Sequence, residues 1–139
     1  MRPERRNRLK LVPASIFALM LYQGVGATGA RAAVMQDDFL VARTGNLVNL
    51  CKATPSDALY TAAINFCHGF SVGVYRVLEE ENRARPRHMF CAPVKPPSRA
   101  EAIAAFVSWV EAHPDEKNLA PADGIAAYLQ QQFPCGRGR

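Results

Sequence analysis

The chain lacks most of what chemistry at a protein site requires. It has no C-x-x-C, no H-x-x-x-H and no C-x-x-C-H, so its four cysteines and three histidines do not have the spacing of a zinc or haem site. Cys67 and His68 are adjacent, but neighbouring residues of a helix do not face each other. A serine triad would need Ser71 or Ser108 beside a histidine and an acid, and no nucleophile elbow, phosphate loop or dinucleotide fingerprint is read in the chain. The reading is a protein without metal, without cofactor and without a catalytic centre: not an enzyme.

A membrane-spanning run is also missing, since a bilayer-crossing helix needs roughly 20 apolar residues. What the chain does have is Arg2, Arg5, Arg6, Arg8 and Lys10 ahead of a shorter apolar run from Leu11 to Tyr22, broken by Pro13. Small residues follow, ending in Ala30-Arg31-Ala32. This is the order of a secretory signal peptide. We expect residues 1–32 to be that signal, cut after Ala32 or Ala33, and residues 33–139 to be one mature domain with an ordered core over about 46–135. The expected location is the periplasm. The signal takes with it six of the 17 basic and one of the 12 acidic residues, leaving eleven of each. The mature chain is formally neutral, so the basic balance of the precursor gives no ground for nucleic-acid binding or for a membrane partner.

The four cysteines, Cys51, Cys67, Cys91 and Cys135, all lie in the mature part. An even number in a small exported chain reads as two intrachain disulfides, which staple a thin core. The helical signals are clear. Leu47, Val48, Leu50 and Cys51 fit a short helix from Asn46, capped by Thr44 or Asn46, after a lead-in over Met35 to Gly45 with no sustained period. Leu59, Ala63, Phe66, Cys67, Phe70, Val74, Val77 and Leu78 recur in steps of three and four, the mark of one buried face of a long helix from about Asp57 to Asn82. Glu79, Glu80 and Glu81 at its negative dipole end predict fraying there. Gly69 and Gly73 inside it predict a close helix crossing or a subunit contact. Arg83 to Pro97 is too rich in proline for a regular element. Ser98 with Glu101 forms a capping box for a third helix, which ends at His113-Pro114. A fourth helix follows Pro121 and ends at Phe133-Pro134-Cys135, and the residues beyond it read as a disordered tail. The fold class is all-α, a compact domain of about four helices, with Phe66, Phe70, Tyr75, Phe106, Trp109 and Tyr128 read as core.

If the third and fourth helices form an antiparallel hairpin, Cys91 and Cys135 lie at the same end of it. That favours Cys91 with Cys135 and leaves Cys51 for Cys67, while Cys51 with Cys91 stays open. With no chemistry of its own, the chain offers loops for recognition. Arg83, Arg85, Arg87 and His88 make a basic stretch suited to an acidic partner, and Glu116 and Lys117 in the Asp115–Asn118 loop are a second candidate.

Several segments, taken in order, resemble one known family: Cys67-His68-Gly69-Phe70-Ser71-Val72-Gly73, Cys91-Ala92-Pro93, His113-Pro114-Asp115, Leu119-Ala120-Pro121-Ala122 and Phe133-Pro134-Cys135. From about Asn46 to Cys135 the chain is similar to the Rap/Tai family of periplasmic immunity proteins, which protect bacteria against peptidoglycan amidase effectors delivered by type VI secretion. The resemblance implies a small all-helical protein that forms a homodimer and blocks the amidase by pushing a loop into its active-site cleft. The matched elements are mostly Cys, Gly and Pro, which set the fold, and the arginine-rich Glu79–Phe90 segment is where this sequence departs from the pattern. The alternative function is that of a periplasmic stress or chaperone-like helical protein with no toxin partner.

Overall fold

A computed structural model of the chain describes residues 33–136, and the expected signal segment with its cleavage point and the tail after Gly136 lie outside them. The order is a 3-10 turn (Gln36–Leu40), α1 (Thr44–Cys51), α2 (Tyr60–Ala84), α3 (Arg99–Ala112), a second 3-10 turn (Pro114–Asn118) and α4 (Pro121–Gln132). No strand occurs among the described residues. The all-α reading with four helices therefore holds.

The lead-in to α1 is more regular than its sequence indicates. Asp38 is almost fully buried, 4 % exposed, and its carboxylate accepts from the Met35 amide and from the side-chain amides of Asn46 and Asn49, each at 3.0 Å. These bonds tie the first 3-10 turn to α1. The chain then reverses through Val41, whose φ of 46° is a left-handed conformation disfavoured for a β-branched residue. The start of α1 lies two residues before the expected Asn46. Thr44 begins it, donating from its amide to the Leu119 carbonyl at 2.8 Å and from its hydroxyl to the carbonyls of Leu119 and Ala120 at 3.1 and 3.3 Å. Asn46 caps from inside the first turn, accepting from the Arg43 amide at 3.1 Å.

Between α1 and α2, Asp57 holds a tight turn. Its Oδ2 accepts from the Thr54 amide at 2.6 Å and from the Thr54 hydroxyl at 2.9 Å. That local bonding competes with the helix, so α2 starts at Tyr60, three residues later than expected. At its other end α2 passes the expected stop and reaches Ala84. The glutamates do not end it because Arg76 and Arg83 bracket them, with Arg76 on Glu79 at 2.8 Å and Arg83 on Glu79 and Glu80 at 3.1 and 2.7 Å.

Two buried groups hold the helices together. Val34, Leu50, Ala63 and Cys67 pack α1 and the N-terminal segment against the first turns of α2. Leu47, Val48, Phe90, Phe106, Trp109, Val110, Ile125, Tyr128 and Leu129 join α1, α3 and α4. At about 1.5–3 kcal/mol for each fully buried large apolar side chain, Leu47, Leu50 and Val110, all at 0 % exposure, are the strongest fixed points. Trp109 is core: its Nε1 donates to Gln131 of α4, and its ring packs edge-on against Tyr128 at 5.7 Å. His113 stacks on that ring at 4.7 Å and donates from Nδ1 to the Trp109 carbonyl at 2.7 Å, closing α3 before Pro114. Where α1 meets α4, Gly124 has no room for a side chain, since an added Cβ would run into Thr44, with Cγ2 only 2.8 Å away.

Cys51 is joined to Cys67, two turns into α2, and Cys91 to Cys135, with Cα–Cα distances of 5.2 and 5.0 Å. No described cysteine is free.

Candidate partner-binding surface

The long helix leaves part of its apolar face uncovered. Ala63 and Cys67 are fully buried, but Phe66, Phe70, Val74 and Leu78 are only half-buried, and Val77 is 58 % exposed. Phe66, Phe70, Val74, Val77 and Leu78, with Ala122 and Ala126 of α4, line an open groove whose lining also includes Glu81 and Asp123. Gly69 and Gly73 lie along it with nothing within 4 Å of where a Cβ would stand. Nothing packs against either glycine, so the expected close crossing is not formed at them within the described chain.

The basic stretch is organised by Asn82, a residue with no distinctive sequence signal. Its buried amide donates to the Phe90 carbonyl at 2.9 Å, and its Oδ1 accepts from the Met89 amide at 2.6 Å and the Phe90 amide at 3.4 Å. One side chain thus pins both ends of the Arg83–His88 crest. Just beyond, the Cys91 amide donates to the Phe133 carbonyl at 2.8 Å, and the Cys91–Cys135 bond fixes the same point to the end of α4. The crest itself is exposed.

The six candidate contact residues do not form one site. Arg83 belongs to α2 and is occupied by Glu79 and Glu80. Arg85 caps the helix C-terminus in extended conformation. Arg87 and His88 follow in the exposed loop, and none of the last three has an ion-pair partner among the described residues. Glu116 and Lys117 stand in the second 3-10 turn, just before the N-terminus of α4, whereas the crest is bonded to residues after its C-terminus. Twelve residues of α4 separate the two, about 18 Å at 1.5 Å per residue. Glu116 is half-buried, with one oxygen sealed from solvent and without a hydrogen-bond partner, and the Lys117 backbone packs on Gly45. Both fit the scaffold better than the crest.

Two glycine strings correct the reading that catalytic and dinucleotide signatures are missing. Gly24 to Gly29 spells G-x-G-x-x-G and lies outside the described residues, and Gly69-Phe70-Ser71-Val72-Gly73 spells G-x-S-x-G. The second lies in the middle of α2, not on the strand-to-helix turn that exposes a nucleophile, and Ser71 Oγ is buried without a partner. No group of three or more His, Cys, Asp and Glu that could hold a metal ion occurs among the described residues.

The model of the Rap1a immunity proteins matches residues 43–135. The chain belongs to the Rap1a family. The Rap1a match begins at Arg43, the residue before α1, and ends at Cys135, the second partner of the last disulfide. It therefore spans all four helices and both staples, and leaves out the Asp38 turn. No curated protein and no solved structure matches the chain. Among the described residues no helix is long and apolar enough to cross a membrane.

Proposed function

We propose that the protein is exported by a signal over residues 1–32, cleaved near Ala32, and that its mature domain acts in the periplasm by binding and inhibiting a peptidoglycan amidase delivered by type VI secretion. Membership of the Rap1a family supports the immunity role, and the crest carries the choice of contact surface. A loop that must enter a partner's cleft gains affinity from being ordered beforehand. Arg83–His88 is clipped at its base by Asn82 and backed by a disulfide. Arg85, Arg87 and His88 then offer unpaired donors to a carboxylate-lined rim, where charge sets the rate of encounter. The protein is a binder in this reading, and the reacting groups belong to its partner.

The uncovered face of α2 is proposed as the homodimer contact. Bare backbone at Gly69 and Gly73, four residues apart, lets an identical helix approach closely, and a two-fold axis through that point presents each copy with the same apolar strip. Replacing either glycine by leucine is expected to leave a monomer in analytical ultracentrifugation.

The deciding experiment co-purifies the protein with the hydrolase encoded beside it and expresses that hydrolase in the periplasm of host cells. A stable complex and protected cells are the expected result. Absence of both a complex and protection refutes the proposal. Arg85→Glu with Arg87→Glu should slow association by an order of magnitude or more and leave the melting temperature unchanged.

A further inference from the structure

Beside the crest lies a cavity of about 300 Å³, between α2, the Cys91–Pro97 segment, the first turns of α3 and the last turns of α4. Val72, Tyr75, Pro93, Ile103, Phe106 and Leu129 give it an apolar wall. Two arginines also line it, Arg76 and Arg99, and no acidic residue does. Arg76 is engaged, paired with Glu79 at 2.8 Å and lying over the Tyr75 ring at 5.9 Å. Arg99 is not: it is exposed and has no ion-pair partner among the described residues. The nearest acid in sequence, Glu101, is turned back to the Ser98 amide at 2.8 Å as part of the helix cap.

These features define a ligand chemistry. An apolar chamber with a single polar edge takes an apolar body with a polar end, and here the edge is cationic and unopposed. At the lower bound of the roughly 300–1,000 Å³ typical of small-molecule sites, the chamber suits a short chain. We propose that the cavity binds a small amphiphilic carboxylate of the medium-chain fatty-acid type, its chain between α2 and α3 and its carboxylate on Arg99. The proposal does not rest on the amidase reading, since none of the Arg83–His88 crest residues lines the cavity.

Calorimetric titration of the purified protein with decanoate, below its micellar concentration, tests this. Saturable binding of one equivalent is expected. Decanol, with the same chain and no charge, should bind about tenfold more weakly, because it lacks the charge-assisted contact, and decyltrimethylammonium should not bind. Arg99→Gln, at an exposed position, should weaken decanoate about tenfold and leave decanol unchanged. Ala102→Phe should fill the chamber and remove binding of both, with helical circular dichroism checking that the fold survives. No saturable heat, equal affinity for decanoate and decanol, or an Arg99→Gln protein that binds decanoate as well as the parent would each overturn the proposal.

Discussion

Cys51–Cys67 and Cys91–Cys135 are bonds of one kind in two surroundings. Cys67 is 0 % exposed and packs with Leu50 and Ala63, so the first bond lies inside a core that apolar burial already defines. Cys91 is exposed and Cys135 half-buried, and the residues from Cys91 to Pro97 that follow the crest have no core of their own. There the second bond, the Cys91 amide and Asn82 supply the order that packing does not. One end of the molecule is held by volume, the other by a few directed bonds. Function is easier to place at the second, because loops held from behind leave their outer surface free for recognition.

The largest test of that contrast removes each bridge in turn. Loop entropy ranks the exposed bridge first, since its sequence separation is 44 against 16 for the buried one, with about 4 against about 3 kcal/mol expected on that basis. Burial ranks them the other way, because losing sulfur atoms from a closed site adds a cavity term, and measured stabilisation follows loop length only weakly. We expect Cys51→Ala with Cys67→Ala to cost about 4–5 kcal/mol and Cys91→Ala with Cys135→Ala about 2–3 kcal/mol. Urea unfolding reads both. A larger loss from the exposed pair would invert the comparison. The exposed-pair variant should nevertheless lose more affinity for the proposed hydrolase partner at temperatures where it is fully folded.

Glycines sharpen the same contrast on a smaller scale. Gly124→Ala forces a methyl group into Thr44, and at a packed helix contact this should cost about 2 kcal/mol. Combining it with Thr44→Ala should cost less than the sum of the two, since both changes act on one contact. At Gly69 the space is open, so Gly69→Ala should raise monomer stability by about 0.5–1 kcal/mol through helix propensity. If Gly124→Ala is neutral, the α1–α4 contact is looser than its geometry indicates.

Asn82→Ala probes the directed end. It leaves the Phe90 carbonyl and the Met89 amide without their partner, which should cost about 2 kcal/mol. Amide exchange should accelerate more at Met89 and Phe90 than at Leu47 and Leu50. Uniform acceleration across both groups would mean that the crest and the core open as one unit.

These two ends were not equally legible from sequence. The four helices follow from local signals: apolar steps of three and four along α2, the Ser98–Glu101 box and Pro114 after α3. The cysteine pairs need an α3–α4 hairpin as well, and sequence alone leaves Cys51 with Cys91 open. What escaped depends on contacts between distant residues. The Gln36–Leu40 turn forms because Asp38 reaches Asn46 and Asn49, and nothing in its own composition announces it. Asn82 reads as the last residue of a helix, yet it sets the shape of the crest. Val77 fits the apolar period and is exposed, because that face is wider than the elements that cover it. The cavity beside Arg99 is assembled from four separate stretches of chain, and no one of them carries its mark.

The smallest predicted effect concerns acid. Burial acts to raise the Asp38 pKa, but the hydrogen bonds from Asn46, the Met35 amide and Asn49 outweigh it and leave the carboxyl below its ordinary value of 3.8. A carboxyl depressed in the folded state adds stability above its unfolded pKa and loses it as the pH falls through the folded one. The strap over α1 should therefore be intact at neutral pH and weaken only below about pH 4. Asp38→Asn should flatten that acid limb in urea melts taken from pH 6 to pH 2. Tyr75, beside the crest, is instead pushed up by burial and by Glu79, so it stays neutral throughout that range and contributes nothing to the limb. An acid limb that survives Asp38→Asn unchanged would move the sensitive group elsewhere, with the paired Glu79 on α2 as the next to substitute.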